Sequence, residues 1–221
     1  MESSRAADSL SPSYIPDCIP VFPLPNIVFF PKTYLPLHIF EPRYRAMVAD
    51  IAAMGGCIGM ALLREGWQHD YEGNPPVYEI GCVGRMISTQ PLLDGRSNIV
   101  LQGLQRYRIC EENHERPYRQ ARISLEPYKT AEALDPFLRA ELLDRLRDYV
   151  ARRHTDGVWG RFLDSEMTDD VLVNTLSAYL DFTPLEKQLL LEADTLMQQA
   201  RRLNDLVQFK LYERDGPKGW T

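Results

Sequence analysis

The chain has 221 residues and a mass of 25.5 kDa, the size of one large domain or two small ones. Hydrophobic residues make up 44% and charged residues 25%, the balance of a globular protein whose core needs neither metal nor disulfide. With 25 Lys+Arg against 31 Asp+Glu the net charge is −6, and neither side of Lys129 carries a basic excess, which argues against nucleic-acid and anionic-membrane partners.

Residues 1–14 are polar and Ser/Ala-rich, and read as a disordered tail. From Ile15 to Tyr128 the pattern is that of strands. Ile19–Pro23 and Asn26–Phe30 are short apolar runs punctuated by proline, as edge strands tend to be. Thr33–Ile39 is a third extended run, in which Pro36 argues against helix. A helix then opens with Pro42 at its first position and stops at Gly55-Gly56. Tyr44, Met47, Val48 and Ile51 form its inner stripe, leaving Arg43, Arg45 and Asp50 mostly wet. Val77–Thr89 and Ser97–Gln102 flank the turn signal Asp94-Gly95. Leu104–Glu111 and Arg119–Glu126 alternate, with Tyr107 and Ile109 on one side and Arg106 and Arg108 on the other. Many short strands between turns predict a closed or nearly closed barrel.

After Lys129 the hydrophobic period becomes helical. Asp135-Pro136 caps a helix running to about Arg153. Thr168 caps another, with Val171, Leu172, Thr175, Leu176 and Tyr179 expected inside. Thr183-Pro184-Leu185-Glu186 is a capping box that opens a long helix, with Leu185, Leu189, Ala193, Leu196, Ala200, Leu203 and Val207 as its seam. The expected organisation is α+β: a mainly antiparallel pseudobarrel over 15–128, a helical bundle over 129–212, and a tail over 213–221.

Motifs for chemistry are sparse. The chain has no phosphate loop, no dinucleotide fingerprint, no G-x-S-x-G and no H-E-x-x-H. The four cysteines, Cys18, Cys57, Cys82 and Cys110, form no close pair, so they read as mostly buried free thiols in a reducing cytoplasm. The histidines His38, His69, His114 and His154 lie too far apart to mark a local metal site, and His114 and His154 read as surface residues. No cofactor or metal is expected. The densest constellation is Leu35–Arg45, where His38, Glu41 and Arg43 meet at a strand-to-helix junction. A general base beside an orienting carboxylate is one reading. Glu41 supporting the helix start, paired with Arg43, is the simpler one. Tyr71, Tyr78, Tyr107, Tyr118 and Tyr128 supply groove-type side chains, with core packing as the default for each.

The segments Pro20–Pro31 (PVFPLPNIVFFP) and Leu35–Tyr44 (LPLHIFEPRY) resemble the opening of the Lon protease N-terminal, substrate-binding domain. The similarity continues at Ile58–Leu63, Tyr78–Gly84, Asp94–Arg96 and Asn98–Gly103, and extends to about Phe209. The resemblance implies a PUA-like pseudobarrel followed by helices, and a module that recognises unfolded or exposed apolar polypeptide, with a separate protease as a further partner. Because the sequence stops at Thr221, the family's ATPase and peptidase modules are not expected, nor is any catalytic residue. The expected binding surface is an aromatic and aliphatic groove between barrel and helices, with Leu37, His38, Phe40, Glu41, Arg43 and Tyr44 on its rim. A monomer or weak oligomer is expected, cytoplasmic, with no membrane or nucleic-acid partner. The competing expectation is a PUA-like binder of RNA or a small ligand, or a hydrolase built on His38 and Glu41.

Overall fold

The computed structural model describes residues 14–51, 56–70, 73–129, 133–153 and 166–214. The chain divides between Pro127 and Tyr128 into two compact units. The first contains β1 (Cys18–Leu24), β2 (Tyr34–Ile39), α1 (Pro42–Ile51), β3 (Cys57–Leu62), a 3-10 turn (Trp67–Asp70), β4 (Ile80–Pro91), β5 (Ser97–Asn113) and β6 (Gln120–Leu125). These strands form one six-stranded sheet in the order β2-β5-β4-β3-β1-β6, with β6 also pairing back to β5. Every pairing is antiparallel except β1 with β3.

The long strand β5 closes the barrel. Along one edge it pairs with β4; along the other it pairs first with β2, through Ser97–Gln102, and then with β6, through Tyr107–Asn113. The hairpin from β4 to β5 turns at Gly95, whose φ of 80° suits a residue without Cβ, and the Leu92 N–H donates to the Arg96 carbonyl at 2.8 Å.

Two apolar clusters build this unit. One gathers Ile19, Val21, Ala61, Val83, Tyr107 and Ala121. Tyr107 is fully buried there, its hydroxyl donating to the Met60 carbonyl at 3.2 Å. Glycine makes room for it, since a Cβ on Gly81 would lie 2.3 Å from the Met60 oxygen and 2.7 Å from the Tyr107 hydroxyl. The other cluster lies on the opposite faces of the same strands, where Ile58, Met60 and Cys82 meet Tyr44, Met47 and Ile51 of α1. The expected α1 stripe is therefore the buried one, with Val48 half-buried beside it. Gly56, at φ 71°, donates its N–H to the Ile51 carbonyl, whereas Gly55 lies outside the described residues.

Several sequence expectations are corrected. Asn26–Phe30 is not a strand; Phe29 and Phe30 are buried in irregular chain between Pro25 and Pro31. Prolines at both ends remove ladder donors, and the aromatic side chains supply burial instead. β1 is an inner strand rather than an edge strand. It pairs with β6 through Cys18–Pro20 and with β3 through Val21–Leu24, so Pro20 sits where it changes neighbours and Pro23 falls within the run paired with β3. β4 begins at Ile80, Val77 making an isolated bridge to Leu63. Arg106 lies opposite to Tyr107 in the alternation but is buried, because its cross-strand partner Cys82 belongs to the α1-facing cluster.

The second unit holds α2 (Pro136–Arg153), α3 (Asp169–Tyr179), α4 (Pro184–Leu191) and α5 (Leu196–Arg214), with α5 packed against the other three. Asp135 caps α2, its Oδ1 accepting from the N–H groups of Phe137 at 2.9 Å and Leu138 at 3.1 Å. Thr168 occupies the cap position of α3, but its hydroxyl donates to Asp170 at 2.5 Å instead of accepting from the backbone. The buried face of α3 is Leu172, Val173, Leu176 and Ser177, one position round from the expected stripe; Tyr179 is exposed. The capping box at Thr183 and Glu186 is formed in both directions.

The long helix expected after it is two helices. Thr195 restarts the chain, its Oγ1 accepting from the Gln198 N–H at 3.0 Å while Gln198 Oε1 accepts from the Asp194 N–H at 2.7 Å. The expected seam therefore holds from Ala193 to Val207, all buried, and fails at Leu185 and Leu189, which are about half-exposed. α5 also continues to Arg214, two residues into the expected tail. The remainder of both tails, residues 1–13 and 215–221, lies outside the described residues.

Candidate functional site

The segment from β2 into α1 carries all six residues expected on a binding rim. β2 pairs with β5 along one edge, and among the described residues no strand pairs with its other edge. Its alternation is clear: Ile39 is buried and Leu35 and Leu37 half-buried, whereas Tyr34, Pro36 and His38 face water, followed by Phe40 at 58% exposure. His38 is thus not packed away beside Glu41. Its Nδ1 lies 2.7 Å from Asn98 Oδ1 across the β2–β5 pair, and its ring stacks on Phe40 with centroids 6.1 Å apart.

Glu41, Arg43 and Tyr44 form a second group. The Glu41 carbonyl accepts from the N–H groups of Tyr44 and Arg45, so Glu41 is the residue from which α1 starts. Its carboxylate takes a 2.9 Å hydrogen bond from Arg43 Nε, the helix-supporting arrangement that the sequence suggested. The Arg43 guanidinium lies 4.7 Å from the centre of the Tyr44 ring, and that buried ring packs on Phe22 at 4.0 Å. The structure therefore separates His38 from the Glu41–Arg43 pair and assembles no base–carboxylate dyad at this junction.

Arg43 and Tyr44 open onto a pocket of about 190 Å³. Pro23 and Leu63 line it on one side; Gly73, Asn74 and Pro75 come from the segment before β4, and His114 and Arg116–Arg119 from the turn between β5 and β6. Leu37, His38, Phe40 and Glu41 are not among its lining residues. Arg119 is buried; Nη2 donates to the Pro75 carbonyl at 2.7 Å, Nη1 reaches Glu112 at 3.4 Å, and the buried Nε has no hydrogen-bond partner among the described residues. A buried donor left unsatisfied costs about 1–3 kcal/mol. Arg116 meets Asp50 of α1 at 3.5 Å, and His114 meets Glu112 at 3.5 Å. The Tyr118 hydroxyl donates to Asp50 at 2.7 Å, and burial, reinforced by that carboxylate, pushes its pKa up to about 12.

His114, Arg116 and Arg119 were not among the residues singled out by sequence as site candidates. Arg116-Pro117-Tyr118-Arg119 does carry a signal, a basic and aromatic cluster within a turn. Of the tyrosines with groove potential, Tyr107 and Tyr118 are buried, Tyr78 is half-buried and Tyr71 lies outside the described residues. Tyr128 belongs to a polar network of the second unit with Asn174, Ser177 and Gln199. Cys57 and Cys82 are buried, and burial pushes both thiols up; Cys18 and Cys110 are exposed, against the expectation of mostly buried cysteines. His114 is exposed, and His154 lies outside the described residues. Among the described residues no group of His, Cys, Asp and Glu is placed to hold a metal ion, and no helix is long and apolar enough to cross a membrane.

The chain is thus an α+β protein, a pseudobarrel carrying a small arginine-lined pocket followed by a helical bundle. Comparison gives the family: the ATP-dependent protease La (LON) substrate-binding domain matches residues 18–208, and the chain belongs to it. Lon protease 2 of Myxococcus xanthus is 32% identical over 117 residues, which cover 53% of this chain and 14% of that protein. The aligned region spans 13–24% of the length of the curated relatives it matches. In fold the chain is similar to the N-terminal domain of a Mycobacterium avium complex Lon protease, with TM-score 0.68, 21% identity, and coverage of 86% of this chain and 98% of that one. It is also similar to a Lon N-terminal domain protein from Xanthomonas campestris, with TM-score 0.64, 21% identity, and coverage of 87% and 98%.

Proposed function

We propose that this chain is a non-catalytic polypeptide-binding module that takes unfolded or exposed apolar segments and serves a separate protease. The observation that carries the reading is the outer edge of β2, with which no strand pairs among the described residues, and the exposed side chains of Tyr34, Pro36, His38 and Phe40 along it. An extended chain laid against such an edge gains main-chain hydrogen bonds irrespective of sequence, and neighbouring aromatic groups hold its side chains. Membership of a substrate-binding family supports the same reading. The six residues Leu37, His38, Phe40, Glu41, Arg43 and Tyr44 then divide in role. Leu37 anchors the strand, His38 and Phe40 touch the bound chain, and Glu41 starts α1 so that Arg43 and Tyr44 face the pocket.

Fluorescence anisotropy with labelled casein, against a folded protein of similar charge, tests this. Saturable binding of casein and not of the folded control is expected, with no casein cleavage when ATP is added. Absence of casein binding, or ATP-dependent cleavage by the purified chain, overturns the proposal.

A further inference from the structure

The geometry points to the pocket of the first unit as a binding site for a carboxylate on a compact apolar group, either the C-terminal residue of a polypeptide or a free acylated amino acid. For the polypeptide source the inference deepens the function proposed above and rests on it. Among the described residues the lining contains Arg43, Arg116, Arg119 and His114 but no Asp or Glu. The carboxylates Glu41, Asp50 and Glu112 pair with Arg43, Arg116 and Arg119 without lining the pocket. The arginines are therefore part of the cavity wall while the carboxylates that pair with them are not. Three arginines against three acids leave the cluster close to neutral, which suits a monoanion such as a carboxylate better than a phosphate dianion.

Donor capacity exceeds what the protein uses. A guanidinium carries a planar fork of N–H groups matched to a carboxylate. The open donor is Arg116, which reaches Asp50 only at 3.5 Å, longer than the usual charge-assisted bond, whereas Arg119 is buried and held by Glu112 at 3.4 Å and the Pro75 carbonyl at 2.7 Å. The remaining wall mixes Asn74 and Tyr118 with the apolar Pro23, Leu63, Pro75 and Tyr44 ring. At about 190 Å³ the cavity falls below the roughly 300–1,000 Å³ of drug-sized pockets and has room for a single terminal residue. Capture of a terminal carboxylate is an established mode of peptide recognition, here with side-chain donors.

The test uses the full chain and four probes: a short unstructured peptide ending in leucine as the free acid, the same peptide as its amide, N-acetyl-leucine and N-acetyl-leucinamide. The free-acid peptide should bind about tenfold more tightly than the amide. The Arg116→Ala variant, changed at a side chain 57% exposed, should keep its melting temperature and lose that difference. Equal binding of acid and amide peptides overturns the carboxylate site while leaving polypeptide binding intact. A difference undiminished in Arg116→Ala places the carboxylate elsewhere and also overturns it. Binding of N-acetyl-leucine over its amide, with neither peptide bound, supports the site, assigns it to a free acid and overturns the polypeptide reading. Binding of none of the four overturns both.

Discussion

Replacing Phe40 by serine separates scaffold from contact surface. At 58% exposure about two-fifths of the side chain is covered by its own protein. Full burial of a phenylalanine contributes about 1.5–3 kcal/mol, so Phe40→Ser should cost about 0.6–1.2 kcal/mol. In a chain of this size that lowers Tm by about 1–5 °C, well short of unfolding at room temperature. If Phe40 anchors a bound chain, its loss should weaken casein binding by 1–2 kcal/mol or more, a factor of about 5–30. His38→Ala removes only the exposed contacts to Asn98 and Phe40, and should change stability by no more than about 0.5 kcal/mol while still weakening binding. Thermal melts followed by circular dichroism and anisotropy titrations on the same samples give both numbers. Unchanged affinity in both variants would show that the outer face of β2 is not where polypeptide lands. Loss of affinity only where a variant is measurably unfolded would return the segment to a structural role.

Three further expectations follow from the same structure. Gly81→Ala places a Cβ 2.3 Å from the Met60 carbonyl oxygen, which is backbone and cannot swing away. It should cost at least the about 1–3 kcal/mol typical of overpacking, and a urea midpoint equal to that of the parent would refute the packing described for Tyr107. Thr195→Ala removes the cap that restarts the chain at α5 and should cost about 1 kcal/mol, comparable with Thr183→Ala; a null effect at Thr195 with a normal effect at Thr183 would mean that the second cap is dispensable. Tyr118 keeps its proton in the folded protein up to a pKa of about 12, whereas an unfolded tyrosine loses it near the reference value of 10.0. Its contribution is therefore complete below the lower value and lost as pH rises through the upper one, so Tyr118→Phe should flatten the fall of Tm over that window, and an identical slope in the variant would sink the assignment.

The sequence was most legible where one face of an element is wet and the other dry. α1 showed its stripe because Arg45 and Asp50 alternate with Tyr44, Met47 and Ile51. β3 offered no such contrast: Cys57–Leu62 is buried on both faces, so it reads as a plain apolar run, and only family resemblance drew attention to it. The join at residues 192–195 was hidden because the seam stays in phase from Ala193 onward. The sign of it was present as Thr195-Leu196-Met197-Gln198, a second capping-box pattern inside the apparent helix. The pocket was the least legible part. Its wall combines Pro23, Arg43, Leu63, Asn74 and the turn at 114–119, five stretches joined only by sheet closure, and no local spacing encodes that.

That closure also accounts for the density of the Leu35–Tyr44 segment. β5 spends the first half of one edge on β2 and the second half on β6. β2 ends the sheet order as a result, and among the described residues no strand pairs with its outer edge. The same division carries the turn before β6 to α1, where Tyr118 and Arg116 meet Asp50. α1 follows β2 directly, so one stretch of chain supplies both the open edge and, through Arg43 and Tyr44, a wall of the pocket. Ten residues that read as a single crowded motif divide at Glu41, the residue that starts α1. Those before it belong to the outermost strand of the sheet order, and Arg43 and Tyr44 after it to the pocket wall.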